Sequence, residues 1–125
     1  MTPPAMAAWN LTLRFGLELG ALAGLGLAAS KLASGPIRWA AVALVPITVG
    51  AVWGVFNVLH DPSRSGAAPI EVNGWTRLTI ELVILGGGAI ALALAGRRDI
   101  GLVFALLVAF HYATSTSRIE WLVQA

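Results

Sequence analysis

The chain has 125 residues, of which 58% are hydrophobic and only 11% charged, and its mean hydropathy is +0.81. That is too apolar for a soluble domain of this length and places the chain in a membrane. Eight Lys and Arg against six acids leave a net charge of +2, with no basic stripe interleaved with aromatics, so nucleic-acid binding is disfavoured. With no cysteine, disulfides, thiolate catalysis and Cys-based metal sites are excluded.

The first eight residues lack the positive region of a secretory signal, and the apolar run behind them is long for a signal core, so the first span is expected to stay in the mature protein. A membrane span needs about 20 mostly apolar residues. Four segments meet this: Asn10–Ser30, Ile37–His60, Trp75–Ala95 and Ile100–Val123. The first connection carries Gly35-Pro36, and the third, Gly96-Arg97-Arg98-Asp99, is barely a turn, so each pair of spans is predicted to be an antiparallel hairpin. Between the hairpins, residues 61–74 are rich in Pro, Gly and Ser and form a linker within a single transmembrane domain.

Arg14-x-x-x-Glu18-Leu19 recurs as Arg77-x-x-x-Glu81-Leu82, 63 residues later, and the same offset sets Leu22 on Leu85, Gly24 on Gly87 and Ile37 on Ile100. Matched Leu, Gly and Ala are cheap in so apolar a chain; matched Arg and Glu are not. The expected fold is therefore all-α, an integral membrane four-helix bundle built from two duplicated helical hairpins. Two spans separate the copies, which gives them one orientation and makes the repeat parallel. The positive-inside rule puts both tight connections in the cytoplasm if Arg14, Arg77 and Arg118 are set aside as bundle residues; if they are counted, the bias vanishes. Trp9, Trp75 and Trp121 fall at one membrane face, where interfacial anchoring is the expected role.

Charged side chains inside a span are expensive and mark candidate sites. Arg14 and Arg77 lie one turn inside the first boundary, and Glu18 and Glu81 one turn deeper, about 10 Å in by helical rise. Cross-bundle pairing of Arg14 with Glu81 and of Arg77 with Glu18 would make a four-charge layer of zero net charge. On the fourth span His111, Ser115 and Arg118 share a helix face flanked by Tyr112, and on the second Trp53, Asn57 and His60 are spaced the same way. All four spans thus bring polar groups to one end. Such a layer serves either as interhelical glue or as a site. His60 borders the linker and is expected to be solvated, and the two histidines do not make a metal-ligand spacing, so neither metal nor cofactor is assigned.

Gly16, Gly20 and Gly24 recur every fourth residue, the spacing that lets helix backbones approach closely, either within the bundle or in a homo-oligomer.

The opening Leu13-Arg14-Phe15-x-x-Glu18-Leu19, the Val52-Trp53-Gly54-x-Phe56 end of the second span, the linker prolines, Arg77-Leu78-x-x-Glu81-Leu82 and Arg118 near Trp121 resemble the YrdB family. The likeness covers nearly the whole chain. It implies a small bacterial four-helix membrane protein and carries no mechanism, because that family has no settled activity.

Four functions fit these residues. In a binding module, Arg14, Arg77 and Arg118 would hold the anionic or carbonyl oxygens of a small amphipathic or lipophilic molecule, with Trp53, Asn57, Tyr112 and Ser115 around it. In an enzyme acting on a lipophilic substrate, Glu18 or Glu81 would act as acid or base with His111 as partner. An accessory subunit would use the glycine face, and transport would need at least a homodimer.

Overall fold

The computed structural model describes residues 2–125. The chain is mostly helical, with α1 at Ala8–Leu32, α2 at Gly35–Val55, α3 at Gly74–Leu94, α4 at Arg98–Ala113 and α5 at Thr116–Gln124. α1, α2 and α3 are long and apolar enough to cross a membrane; α4 and α5 qualify together as one unit bent by 70°. Much of the outer surface along the helices is apolar, including Ile37, Trp39, Leu44 and Ile47 on α2 and Val83, Ile90 and Leu94 on α3.

The turns are built where the sequence supplies the required conformations. Gly35 and Gly96 take positive φ of 63° and 86° in the two tight connections, a region an L side chain rarely adopts. Asn73 caps α3, its Oδ1 accepting from the Thr76 amide at 2.8 Å.

α1 packs against α2, α3 and α4, and α3 packs against α1, α4 and α5. The inward face of α1 carries Asn10, Arg14, Leu17, Ala21, Gly24 and Ala28. Leu17 and Ala21 join Ile84, Leu85 and Leu92 of α3, Phe104 of α4 and Trp53 of α2 in the main core. Small residues set the spacing: a Cβ on Gly88 would lie 2.7 Å from the Ala21 Cα, and one on Gly24 would lie 3.0 Å from Leu92. Gly20 faces the Phe104 ring at a Cβ distance of 2.8 Å, so Gly20 and Gly24 are engaged within the chain, and Gly16 alone of the three has open space.

Three differences from the sequence-based expectations stand out, two at helix ends and one at Trp121. The second helix stops at Val55, not His60. The Trp53 and Phe56 carbonyls both accept from Arg77 Nη1 at 2.7 Å, and the Asn57 amide side chain donates to the Gly54 carbonyl at 2.6 Å. Phe56–Asn57 (β1) then pairs in parallel with Ile70–Glu71 (β2), which folds the linker back on the helix end. Asn57 and His60 therefore share no helix face with Trp53; Asn57 is buried and His60 is exposed with φ 67°.

The fourth helix breaks between Ala113 and Thr116, so His111, Ser115 and Arg118 do not lie on one continuous helix. A hydroxyl group contributes: Ser115 Oγ donates to the His111 carbonyl at 2.7 Å, in place of the Ser115 amide, which turns to the Tyr112 carbonyl at 3.2 Å, while Thr114 Oγ1 adds a bond to the Phe110 carbonyl at 2.8 Å. Asn10 on α1 donates to Thr114 Oγ1 at 2.9 Å and fixes the corner.

Trp121 is the third difference. Trp9 and Trp75 are exposed, but Trp121 is buried with Val58 and Leu122 in a second small core under the linker, because the bend turns α5 back across the end of the helices.

Candidate functional site

The charged layer assembles at the end where α1 and α3 begin and α2 and α4 finish. At its centre is Glu81, fully buried on α3. It forms an ion pair with Arg14 of α1, and Arg118 of α5 reaches both of its oxygens, with Nη1–Oε1 at 3.0 Å and Nη2–Oε2 at 3.1 Å. Arg77, one turn before it, lies 3.7 Å away. One carboxylate thus organises three arginines from three helices.

Arg118 also holds Asp61. Its Nε and Nη2 donate to the two carboxylate oxygens at 2.9 and 2.6 Å, and Asp61 is buried although it lies in the linker. Such paired contacts match the guanidinium fork to the planar carboxylate. Burial by itself would raise the Asp61 carboxyl; the hydrogen bonds and charge of Arg118, helped by the Ser63 amide, outweigh it and hold the group at about 2. Asp61 carries no site signal in the sequence, where an acid before Pro62-Ser63 reads as ordinary turn chemistry. Ser63 does make that turn, its amide and hydroxyl donating to Asp61 Oδ1 at 2.9 and 2.8 Å.

Aromatic and imidazole groups complete the layer. The Arg14 and Arg77 guanidinium groups stand 5.0 and 4.8 Å from the centroid of the buried Trp53 ring, within cation–π range. Arg14 Nη1 lies 3.3 Å from His111 Nε2. Arginine only donates, so a hydrogen bond there needs that nitrogen as the acceptor. Ser115 lies just beyond His111, and Tyr112 packs at the edge, its ring 5.0 Å from the His111 ring. Three arginines against two carboxylates leave the buried cluster one positive charge in excess.

The expected Arg77–Glu18 pair does not form, and the cluster is not neutral. α3 turns both Arg77 and Glu81 inward, whereas α1 turns Arg14 inward and leaves Glu18 off the core face. Glu18 is partly exposed and stands 3.9 Å from Arg64 of the linker. Between α1 and residues 63–65 lies a cleft of ≈ 300 Å³, lined by Leu11, Arg14, Phe15, Glu18, Ser63, Arg64 and Ser65. Among the residues singled out from sequence, Arg14, Trp53, Arg77, Glu81, His111, Tyr112, Ser115 and Arg118 are brought together. Glu18 faces the cleft, and Asn57 is buried at the end of α2 beside the carbonyls that Arg77 holds. Arg64 and Ser63 were not expected; no local signal separates them from a solvated linker.

A mostly helical, strongly apolar chain with a buried arginine-rich ion cluster at one end is the class these features define. Residues 12–109 match the family described as Protein of unknown function (DUF2568), and the chain belongs to that family. It is 45% identical over 114 residues to the uncharacterized protein YrdB of Bacillus subtilis (strain 168), covering 91% of this chain and 93% of that protein. No solved structure matches it.

Proposed function

We propose that the chain is an integral membrane protein whose polar end binds the anionic head of a small amphipathic molecule in the cleft between α1 and the linker. In this reading α1, α2, α3 and the bent α4–α5 unit form a four-span bundle, descended from a duplicated hairpin whose two copies have diverged. One observation carries the binding role: Arg14 belongs to the cluster with excess positive charge and also walls the cleft, where Arg64 adds a second guanidinium. Leu11 and Phe15 supply an apolar border, and Phe15 is 59% exposed toward the side where lipid would lie. A pocket with a few polar groups beside apolar walls suits an amphipathic ligand.

Acid–base catalysis by Glu81 and His111 is less well supported, because Glu81 is fully buried and engaged by three arginines. No oxygen of it is left to meet a substrate.

Native mass spectrometry of gently extracted protein tests the binding role. A discrete bound species is expected, and its occupancy falls in Arg64→Gln. Protein that carries no such species, or an occupancy indifferent to Arg64→Gln, would overturn the reading.

A further inference from the structure

The cleft has an apolar neighbour further along α1. Leu11, Phe15 and Glu18 are followed on α1 by Leu22 and Gly26 at spacings of four, three, four and four, one continuous stripe along the helix. Leu22 and Gly26 wall a second hollow of ≈ 460 Å³ between α1 and α2, together with Ala23, Leu27, Val42 and Pro46. The two helices meet closely there: a Cβ on Gly26 would lie 3.2 Å from Pro46 Cγ. The groove is apolar throughout, since its one hydroxyl, Ser30, donates to the Leu27 carbonyl of its own helix at 2.6 Å. Glu18 and Gly26 are eight residues apart, a rise of about 12 Å, so head cleft and groove lie within reach of one molecule.

Charge decides the head. The buried cluster and the cleft together carry Arg14, Arg64, Arg77 and Arg118 against Glu18, Asp61 and Glu81, leaving one positive charge in excess. A single phosphodiester balances it. A head that also carried an ammonium would not, whereas a head with hydroxyl donors gives Glu18 a hydrogen bond to accept without adding charge.

Building on the amphiphile-binding reading, we infer that this site holds one phospholipid with an anionic, hydroxyl-bearing head of the phosphatidylglycerol class, its phosphate on Arg64 with Arg14 supplying charge from the buried wall behind it, and one acyl chain laid in the α1/α2 groove. Guanidinium groups suit the phosphate oxygens, and an apolar groove on spanning helices suits a chain already dissolved in the bilayer.

The test measures binding of long-chain phosphatidylglycerol, long-chain phosphatidylethanolamine and short-chain phosphatidylglycerol to the detergent-solubilised full chain by native mass spectrometry. It uses the unaltered protein, Arg64→Gln, and two groove-filling variants, Ala23→Phe and Val42→Phe, with helicity by circular dichroism as the folding control. Long-chain phosphatidylglycerol is expected to bind about tenfold tighter than either comparison lipid, and each variant to weaken it by about tenfold. Equal binding of the ethanolamine lipid would overturn the head assignment. Equal binding of the short-chain lipid, with both groove variants unaffected, would overturn the groove while leaving the cleft reading intact. Absence of any lipid binding, with Arg64→Gln indistinguishable from the unaltered chain, would remove both.

Discussion

Arg118 and Asp61, 57 residues apart in sequence, form a buried two-point ion pair at 2.9 and 2.6 Å that ties the linker to the last helix. Removing one member of a buried pair strands the other charge, a loss of about 3–5 kcal/mol. Asp61→Asn is therefore expected to lower thermal stability in detergent far more than substitutions at exposed linker serines. The acid dependence follows from the same pair. The carboxyl is held at about 2 in the folded chain against an ordinary 3.8, so its contribution is complete above about pH 4 and fades as pH falls toward 2. Asp61→Asn should flatten stability across that window; an unchanged acid limb would show that Asp61 is not held as described.

The two glutamates of the repeated motif should behave in opposite ways. Glu81→Gln leaves three buried arginines around a neutral amide and is expected to cost about 3–5 kcal/mol or prevent folding. Glu18→Gln removes a partly exposed carboxylate 3.9 Å from Arg64 and should change stability by no more than about 0.5 kcal/mol. Denaturation of the two variants side by side checks this, and equal losses would contradict the asymmetry.

Arg77 closes the end of α2 by donating to the Trp53 and Phe56 carbonyls. With Arg77→Met those buried carbonyls lose their partner, at about 1–3 kcal/mol for each unsatisfied group. Hydrogen exchange should then speed up at residues 53–57 and in the paired segment 70–72, while the middle of α1 stays protected. Uniform loss of protection along the chain would point instead to a global role.

Two glycines give a paired prediction without any charge. A Cβ on Gly74 would lie 1.5 Å from the Leu122 carbonyl oxygen, so Gly74→Ala must push α5 off the start of α3, at about 1–3 kcal/mol or more. Gly86 has nothing within 4 Å, and Gly86→Ala should be neutral or stabilising by up to about 1 kcal/mol, since alanine favours the helix. Melting temperatures of the two variants check the contrast.

Much of the site was legible because charge is conspicuous in apolar sequence. Arg14, Arg77, Glu81, His111 and Arg118 announce themselves by interrupting hydrophobic runs, and the structure gathers all five. What local sequence lacks is helix rotation. Glu18 and Glu81 sit in the same motif, yet only α3 turns its glutamate to the core. Asp61 was hidden for the opposite reason, being an acid in a turn-forming segment where acids are common. The break after Ala113 is masked because hydropathy runs on through it, and the Ser115 hydroxyl acts by taking the His111 carbonyl from the ladder, an effect that composition does not record. Trp121 has the sequence position of an interfacial anchor and is buried only because that break folds α5 inward.

In the proposed membrane placement, the bend between α4 and α5 also sets a length. α4 has 16 residues, a rise of about 24 Å, against a hydrocarbon thickness of about 30 Å. With α5 turned by 70°, this leg of the molecule falls short of the full thickness that α1, at 25 residues, exceeds. In that placement lipid beside it would thin, and headgroups and water would descend toward the arginines. A protein so placed, with one short leg, is expected to favour thin membranes, and thickening the bilayer by lengthening its acyl chains should strain the corner that Asn10 and Thr114 hold together.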